Sequence, residues 1–584
     1  DMEWDMNTPW YRPTRVNHVI DGADFGWRTG SGKFMDYCSD TFGTVVDVGP
    51  GSPTGVSFGY GAKFPAKYQN AFFVSDWSYG KLYAVHLKPQ GSSYVGVVEE
   101  FASAQPFPLT DLLVNPKDGA MYVAVGGRKV QSGLYRVTYV GKESTAPAKS
   151  LSGGEDARKR RQGLERFVQK GAKPANSKQL NGIWGSLGAK DRGIRHAARV
   201  ALEKQPVKNW KKRLAPEKNP VIASAAMIAL ARADAQSCAS ILQKAMTFKY
   251  RDLKDRQQRL DLLRSITLAL TRGGQPEKNL KSELIGWLDR IYPADTPEEN
   301  RDISAIMQFL QAPSAVTKGL ALLRGASGQE EQIGYALNLR HLKTGWTSLQ
   351  RETYFKWFVR SGDFKGGARL SNYLDGIKKD AIATVEPWQM TVGLKKIIAT
   401  KPTQSTPQFT FAPRSFVKNW TMKEMAKWVP GAVPGKRDFK NGRQMFGAGS
   451  CYACHRIGGE GGAVGPDLTS VGGKFGAYDL LESIVDPAKE ISDQYGSSVF
   501  TTTDGTQLNG RIMNMRNNEY WVNTDMMKPS TVTKVKAELI TSIEPSPVSM
   551  MPPGLINTMN KEDILDLLAY LISGGDRKHE LFDR

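Results

Sequence analysis

"GSCYACHRIGG", residues 449–459, holds Cys451 and Cys454 with two residues between them, His455 directly after, and glycines on both flanks. A C-x-x-C-H string can carry a covalently attached c-type haem, take part in a zinc site, or occur by chance. Zinc needs two more ligands at suitable spacing. After His455 the next histidine is His579, near the chain end, and no cysteine follows Cys454. A redox dithiol would sit in a thioredoxin-like βαβ pattern, which the flanking sequence lacks. The haem reading gives thioether bonds to Cys451 and Cys454 and an iron ligand in His455.

The neighbouring sequence fits that reading. "KRDFKNGRQMFGAG" (436–449) predicts a helix leading into the motif, with Phe439, Gly442, Met445 and Phe446 on related faces. "NKEDILDLLAYLISGG" (560–575) predicts a closing helix, with Asn560 as N-cap, Asp563 three residues on, an apolar stripe of Ile564, Leu567, Leu568 and Leu571, and Gly574 as C-cap. Between them, "SSVFTTTDGTQLNGRIMNMRNNEYWVNTD" (497–525) and "TVTKVKAELITSIEP" (531–545) alternate strand-like runs with turns at Asp504-Gly505 and Asn517-Asn518, so a small β insertion is expected over 497–545.

These features resemble a class I cytochrome c, in which an N-terminal helix crosses a C-terminal one where a small residue meets an aromatic. Gly442 with Phe446, against Leu567 and Tyr570, would form that crossing. The resemblance implies that the carbonyl of Pro466, in "VGPDL" (464–468), accepts the second ring N–H of His455. It also implies a late methionine as sixth ligand, which raises the reduction potential. Met551, before Pro552 in "SPVSMMPPGL" (546–555), is the candidate, with Met550 as alternative; Met513, Met515, Met526 and Met527 read as packing residues in or beside strands. The separation 551 − 455 = 96 exceeds what a small cytochrome needs, and the β insertion fills it.

At 584 residues and 64.5 kDa the chain should split into about three to four domains. Its 40% hydrophobic content, a mean hydropathy of -0.41 and the lack of any run of about 18 apolar residues exclude a membrane-spanning helix. A net charge of +21 suits acidic partners such as an acidic redox protein. Basic residues are scattered without a tract or a nucleic-acid motif, which argues against nucleic acid and for a solvated basic surface. Cys38 and Cys238 read as unpaired. The chain starts at Asp1 in what reads as the middle of a folded region, so upstream sequence, including any signal peptide, is expected.

Residues 1–143 are rich in glycine, aromatic and β-branched residues. "PTGVSFG" (53–59), "NAFFVSDW" (70–77), "KLYAVHL" (81–87) and "VGVVEEF" (95–101) read as four strands of one propeller blade. "LTDLLVNP" (109–116), "AMYVAVG" (120–126) and "GLYRVTY" (133–139), with a turn at Asp118-Gly119, read as a three-stranded one. A linker over 144–165 runs into a charged helix start. Helical runs over 166–399, among them 191–214 with Ile194, Ala197, Ala198, Ala201 and Leu202 on one face and 220–235, suggest a HEAT-like α-solenoid. Residues 400–435, with Pro402, Pro407, Pro413, Pro430 and Pro434, read as a second linker before the cytochrome domain at 436–576. The expected fold is therefore multidomain: partial β-propeller, HEAT-like α-solenoid, then a class I-like α-helical cytochrome c domain with a β insertion.

"CYACH", "VGPDLT", "ESIVDPAKEI", "DGTQLNGRI", "MPPGL" and "DLLAYL", in that order, resemble the PVC-type haem-binding cytochrome c domain, often found behind a propeller and helical repeats in proteins labelled membrane-bound dehydrogenases. "RPTRVNHVIDGADFGWR" (12–28) and "PLTDLLVNPKDGAMYVAV" (108–125) look like late blades of the glucose and sorbosone dehydrogenase propellers, which use pyrroloquinoline quinone. Those enzymes hold the quinone with an R-x-R-D pattern where this chain has Pro108-Leu109-Thr110-Asp111, and with a lysine where "WSYG" (77–80) stands. Both departures argue against the quinone, whose carboxylates would lack partners. Arg12, Arg15, Asn17, His18 and Trp27 stand as candidates to line a propeller mouth, against a reading as blade packing; His86 and His196 read as structural or solvent-facing.

Three functions follow. The first is single-electron transfer through a His/Met-ligated haem c. The second is a quinoprotein-like sugar or alcohol dehydrogenase passing electrons to that haem, and the third a carbohydrate- or protein-binding scaffold with a haem module. Attachment of haem c, as the resemblance implies, places the protein in the periplasm or at another extracytoplasmic face, with membrane association through upstream sequence.

Overall fold

The structure, a computed structural model, describes residues 5–127, 130–367, 369–400, 414–429, 433, 436–462, 464–491, 495–516, 518–525 and 532–582. Pro402, Pro407, Pro413, Pro430, Pro434, Asn517, Met526 and Met527 lie outside the described residues. Contacts divide the chain into two compact units. One comprises Asp1–Pro50, His86–Val98 and Lys149–Gln404, the other Gly51–Val85, Glu99–Ala148 and Ser405–Arg584. The sequence blocks are thus interleaved: the N-terminal fifty residues belong with the helical middle.

The first unit is mainly helical from Glu155–Glu165 to Val392–Ala399. Its helices begin where capping chemistry says they should. Asn219 accepts from Val221 N and Ile222 N, and Pro220 takes the first helical position, opening Pro220–Ala233. The run read as helical over 191–214 is shorter. The helix Arg192–Glu203 stops before Gln205-Pro206, since the residue preceding a proline avoids the α region, and two 3-10 turns follow at Val207–Asn209 and Lys211–Arg213. A continuous apolar core runs from Trp10 and Leu164 to Leu394.

Residues 36–41 are held to these helices by arginines. Asp40 is fully buried and accepts from Arg264 Nε and Nη2 at 2.9 and 2.8 Å, with Arg232 at 3.5 Å. Arg199 donates to the Asp40 carbonyl at 3.2 Å, and Arg192 reaches the carbonyls of Asp36, Cys38 and Thr41. Burial works against the Asp40 charge, but the Arg264 hydrogen bonds and the surrounding guanidinium charges prevail and hold its carboxyl below the usual range.

The strands Pro53–Phe58, Ala71–Asp76, Lys81–Gln90 and Ser93–Ser103 form a sheet in sequence order. Leu109–Val114, Met121–Gly127 and Val130–Val137 form an antiparallel one. The turn between the first two of these places Gly119 at φ +71°, with the Asp118 carboxylate accepting from Ala120 N at 3.0 Å. Gly55 lets the two sheets touch, since a Cβ there would lie 2.4 Å from Asp111 Cα.

In the C-terminal part of the second unit, the leading helix Phe439–Ala448 is capped by Asp438 and the closing helix Lys561–Ile572 by an Asn560–Asp563 capping box. The closing helix has its C-cap at Ser573, with Gly574 one residue beyond at φ +65°. The two helices cross at Gly442, where a Cβ would sit 2.4 Å from the Asp566 carbonyl oxygen and 2.9 Å from Tyr570 Cβ. Phe446, fully buried, packs its ring 5.7 Å from that of Tyr570, and Leu567 lies in the same core. The β insertion is a five-stranded sheet, in spatial order Thr533–Lys536, Glu519–Asn523, Gln507–Arg516, Ser498–Thr502 and Ile540–Pro545, around Phe500, Val522 and Val535. Among the described residues no helix is long and apolar enough to cross a membrane.

Gly442→Val should destabilise this helix pair by about 1–3 kcal/mol, because the side chain overpacks a backbone that cannot yield. Guanidinium unfolding followed by circular dichroism reads this. Asp40→Asn should cost about 3 kcal/mol, the usual loss when one partner of a buried ion pair is removed. Because the folded pKa of Asp40 is depressed, its contribution is complete above the unfolded value of about 3.9 and fades as pH falls through the folded one. The gap between wild type and variant should therefore be full at neutral pH and narrow in acid.

Candidate haem site

The leading helix ends at Ala448, Ser450 takes a left-handed conformation at φ +56°, and Cys451–Ala453 form one 3-10 turn. His455 N donates to Cys451 O at 2.9 Å. This turn puts Cys451, Cys454 and His455 together. Both thiols are free and kept protonated by their surroundings: burial pushes Cys451 up to about 12 and raises Cys454. A nucleophilic redox dithiol requires the opposite shift. Among the described residues no three His, Cys, Asp or Glu side chains gather as metal ligands, which leaves zinc without a ligand set.

The His455 ring is fixed by its second nitrogen. Nδ1 lies 2.9 Å from the Pro466 carbonyl oxygen, which only accepts, so Nδ1 carries the proton and Nε2 has the lone pair. Burial lowers the His455 pKa, with Pro466 and Asp467 opposing, and the neutral imidazole is the ligating form. The loop that supplies Pro466 is tied back to the motif, for Val464 N and Gly465 N both donate to Cys454 O, at 3.2 and 2.8 Å. Gly465 is required by proximity: a Cβ there would stand 2.8 Å from His455 Cε1. Arg511, from the insertion strand Gln507–Arg516, donates to Val464 O at 3.1 Å and lies 4.7 Å over the Tyr495 ring.

Met551 is half-buried and packs, with Cys451, Tyr452, Leu468 and Phe475, on the edge of the core formed by the two helices. Its N–H donates to Ser549 Oγ at 3.1 Å. Met550 is also half-buried but is not among the side chains packed on that core. Met513 and Met515, read as packing residues, are instead on the exposed face of their strand, at 45% and 55%. The donor set and the glycine-lined imidazole suit a covalent haem: two cysteines on one turn, a neutral histidine with Nε2 available, and an apolar rim. Sequence reasoning missed Gly465, Arg511 and Tyr495, whose spacing to the motif carries no periodic signal.

Of the N-terminal candidates, Arg12, Arg15, Asn17 and Trp27 border one cavity, whereas His18 is not among its lining residues. The His18 Nδ1 lies 3.0 Å from Ser93 Oγ, and its ring meets Phe42 and Tyr94 edge-on. His86 lies in the strand Lys81–Gln90. His196 is buried in the helix Arg192–Glu203, where burial and then the Arg199 charge lower its pKa to about 3.

No curated protein matches the chain in sequence. Residues 439–519 match the family described as Cytochrome c. The match takes in the leading helix, the C-x-x-C-H turn and the Pro466 loop. The chain thus combines an N-terminal β-sheet region and a helical middle with a C-terminal cytochrome c domain, which implies covalently bound haem c and an electron-carrying role.

Proposed function

We propose that the protein is a single-electron carrier whose haem c is joined to Cys451 and Cys454 and whose iron is held between His455 Nε2 and the Met551 sulfur. The observation that carries this reading is the 2.9 Å contact between His455 Nδ1 and the Pro466 carbonyl, which orients the ring and leaves the Nε2 lone pair free to ligate. Haem c takes up and releases one electron. Gly465 leaves room for the imidazole, Pro466 would raise its basicity, and Leu468, Phe475 and Tyr452, packed on the core with Cys451 and Met551, would offer the group apolar surface.

The sheets of residues 53–137 are read as blades of a propeller and the helices of 155–399 as HEAT-like repeats that present a docking face. Haem c maturation places the protein in the periplasm or at another extracytoplasmic face, and the net charge of +21 favours an acidic redox partner.

A pyridine haemochrome spectrum of protein matured with haem c should give one covalent c-type haem per chain; its absence would remove the proposal. Met551→Ala should abolish the near-infrared sulfur-to-iron band, and loss of that band in Met550→Ala instead would move the ligand by one residue. Gly465→Ala, which crowds the imidazole, should convert part of the low-spin haem to high-spin while total haemochrome stays constant.

A further inference from the structure

The strand Gln507–Arg516 of the β insertion has two faces with different duties. Leu508 packs on the core of Phe500 and Val522, and Gly510 is buried so close to the next strand that a Cβ would lie 2.6 Å from Asn523 O. Side chains alternate along a strand, so Asn509 and Arg511 share the opposite face. Each of them reaches a different loop. Arg511 Nη1 donates at 3.1 Å to the carbonyl of Val464, two residues before Pro466, whose own carbonyl accepts from His455. Asn509 Nδ2 donates at 3.3 Å to Ser546 Oγ, at the start of the segment that carries Met550 and Met551.

Both contacts land on backbone that passes them on. On the histidine side Val464 N donates to Cys454 O, so this residue is held by its amide to the C-x-x-C-H turn and by its carbonyl to the insertion. On the methionine side Ser546 is buried, and its Oγ also accepts from Val548 N and donates to Val548 O, each at 3.3 Å. Ser549 Oγ then accepts from Met551 N at 3.1 Å. Residues 546–551 are thus fastened by short side-chain-to-backbone bonds, and Asn509 ties their first member to the sheet. We infer that Asn509 and Arg511 are positioning residues that hold the methionine segment and the histidine loop from one strand, and so keep the haem closed to outside ligands. This rests on the His/Met reading of the haem. Loss of either hydrogen bond is worth about three- to tenfold in the equilibrium it restrains.

Imidazole titration and proton exchange read the two sides separately in the full chain matured with haem c. Wild type should show the covalent haem and the near-infrared sulfur-to-iron band; absence of either removes the His/Met reading, and this inference with it. With both present, imidazole should displace the band from ferric Asn509→Ala, altered at an exposed position, about three- to tenfold more tightly than from wild type. Exchange of the His455 Nδ1 proton with solvent, followed by NMR, should stay unchanged in that variant. Arg511→Ala should speed this exchange about three- to tenfold and leave the imidazole affinity unchanged, and Arg511→Lys, which keeps a donor and the charge, should restore slow exchange. A general loosening of the domain would instead move both readouts in both variants. Unchanged imidazole affinity in folded Asn509→Ala, unchanged exchange in folded Arg511→Ala, or both readouts moving together in either variant would overturn the inference.

Discussion

The close approach of the leading and closing helices at Gly442 is the constraint on which the haem domain depends. With no side chain at that position the backbone of one helix meets the Asp566 carbonyl of the other. Asn441 then donates to the carboxylates of Asp563 and Asp566 at 3.2 and 2.9 Å, which fixes the rotation of each helix about its axis. Phe439 and Phe446 both pack against Tyr570, with ring centroids 5.4 and 5.7 Å away. Because the C-x-x-C-H turn begins three residues after the leading helix ends, whatever fixes that helix also fixes the direction in which Cys451 and His455 face.

The turn itself is held by backbone hydrogen bonds as well as by the packing of Cys451 and Tyr452 on the core. Cys454 O accepts from two successive amides of the Pro466 loop, and Gly461, at φ +105°, passes so close to the His455 carbonyl that a Cβ would lie 2.2 Å from it. Motif and loop thus behave as one piece, with the imidazole clamped between Gly465 and the Pro466 carbonyl. A ring held by a carbonyl acceptor keeps a single tautomer, and Nε2 stays directed without help from a titratable group.

Much of this was legible in the sequence because it depends on local chemistry. The capping residues Asn560 and Asp563, the alternation over 497–545 and the spacing of Cys451, Cys454 and His455 each declare their element within a few residues. Other features arise only when distant segments meet. Gly465 reads as an ordinary turn glycine until the imidazole is beside it, and Arg511 as a surface strand residue until Val464 O is within its reach. The interleaving of the two units was likewise hidden, since residues 36–41 look like a loop and owe their place to Arg192, Arg199 and Arg264. Helical pattern alone overran Glu203, where Pro206 had the stronger claim.

The β insertion explains how 96 residues can separate His455 from Met551 without opening the domain. Its first and last strands pair with each other, Ser498 opposite Pro545, and Ser546 N donates to Ser497 O at 2.9 Å. The chain therefore leaves and returns at nearly the same point, so the segment carrying Met550 and Met551 resumes where the insertion began. The closing helix can then meet the leading one much as it would with a short loop in place of the sheet. Arg511 ties the sheet to the Pro466 loop, so the inserted strands also bear on the histidine side of the site. A long insertion with adjacent ends adds little closure entropy to the helix pair and contributes a grip on the loop that orients His455.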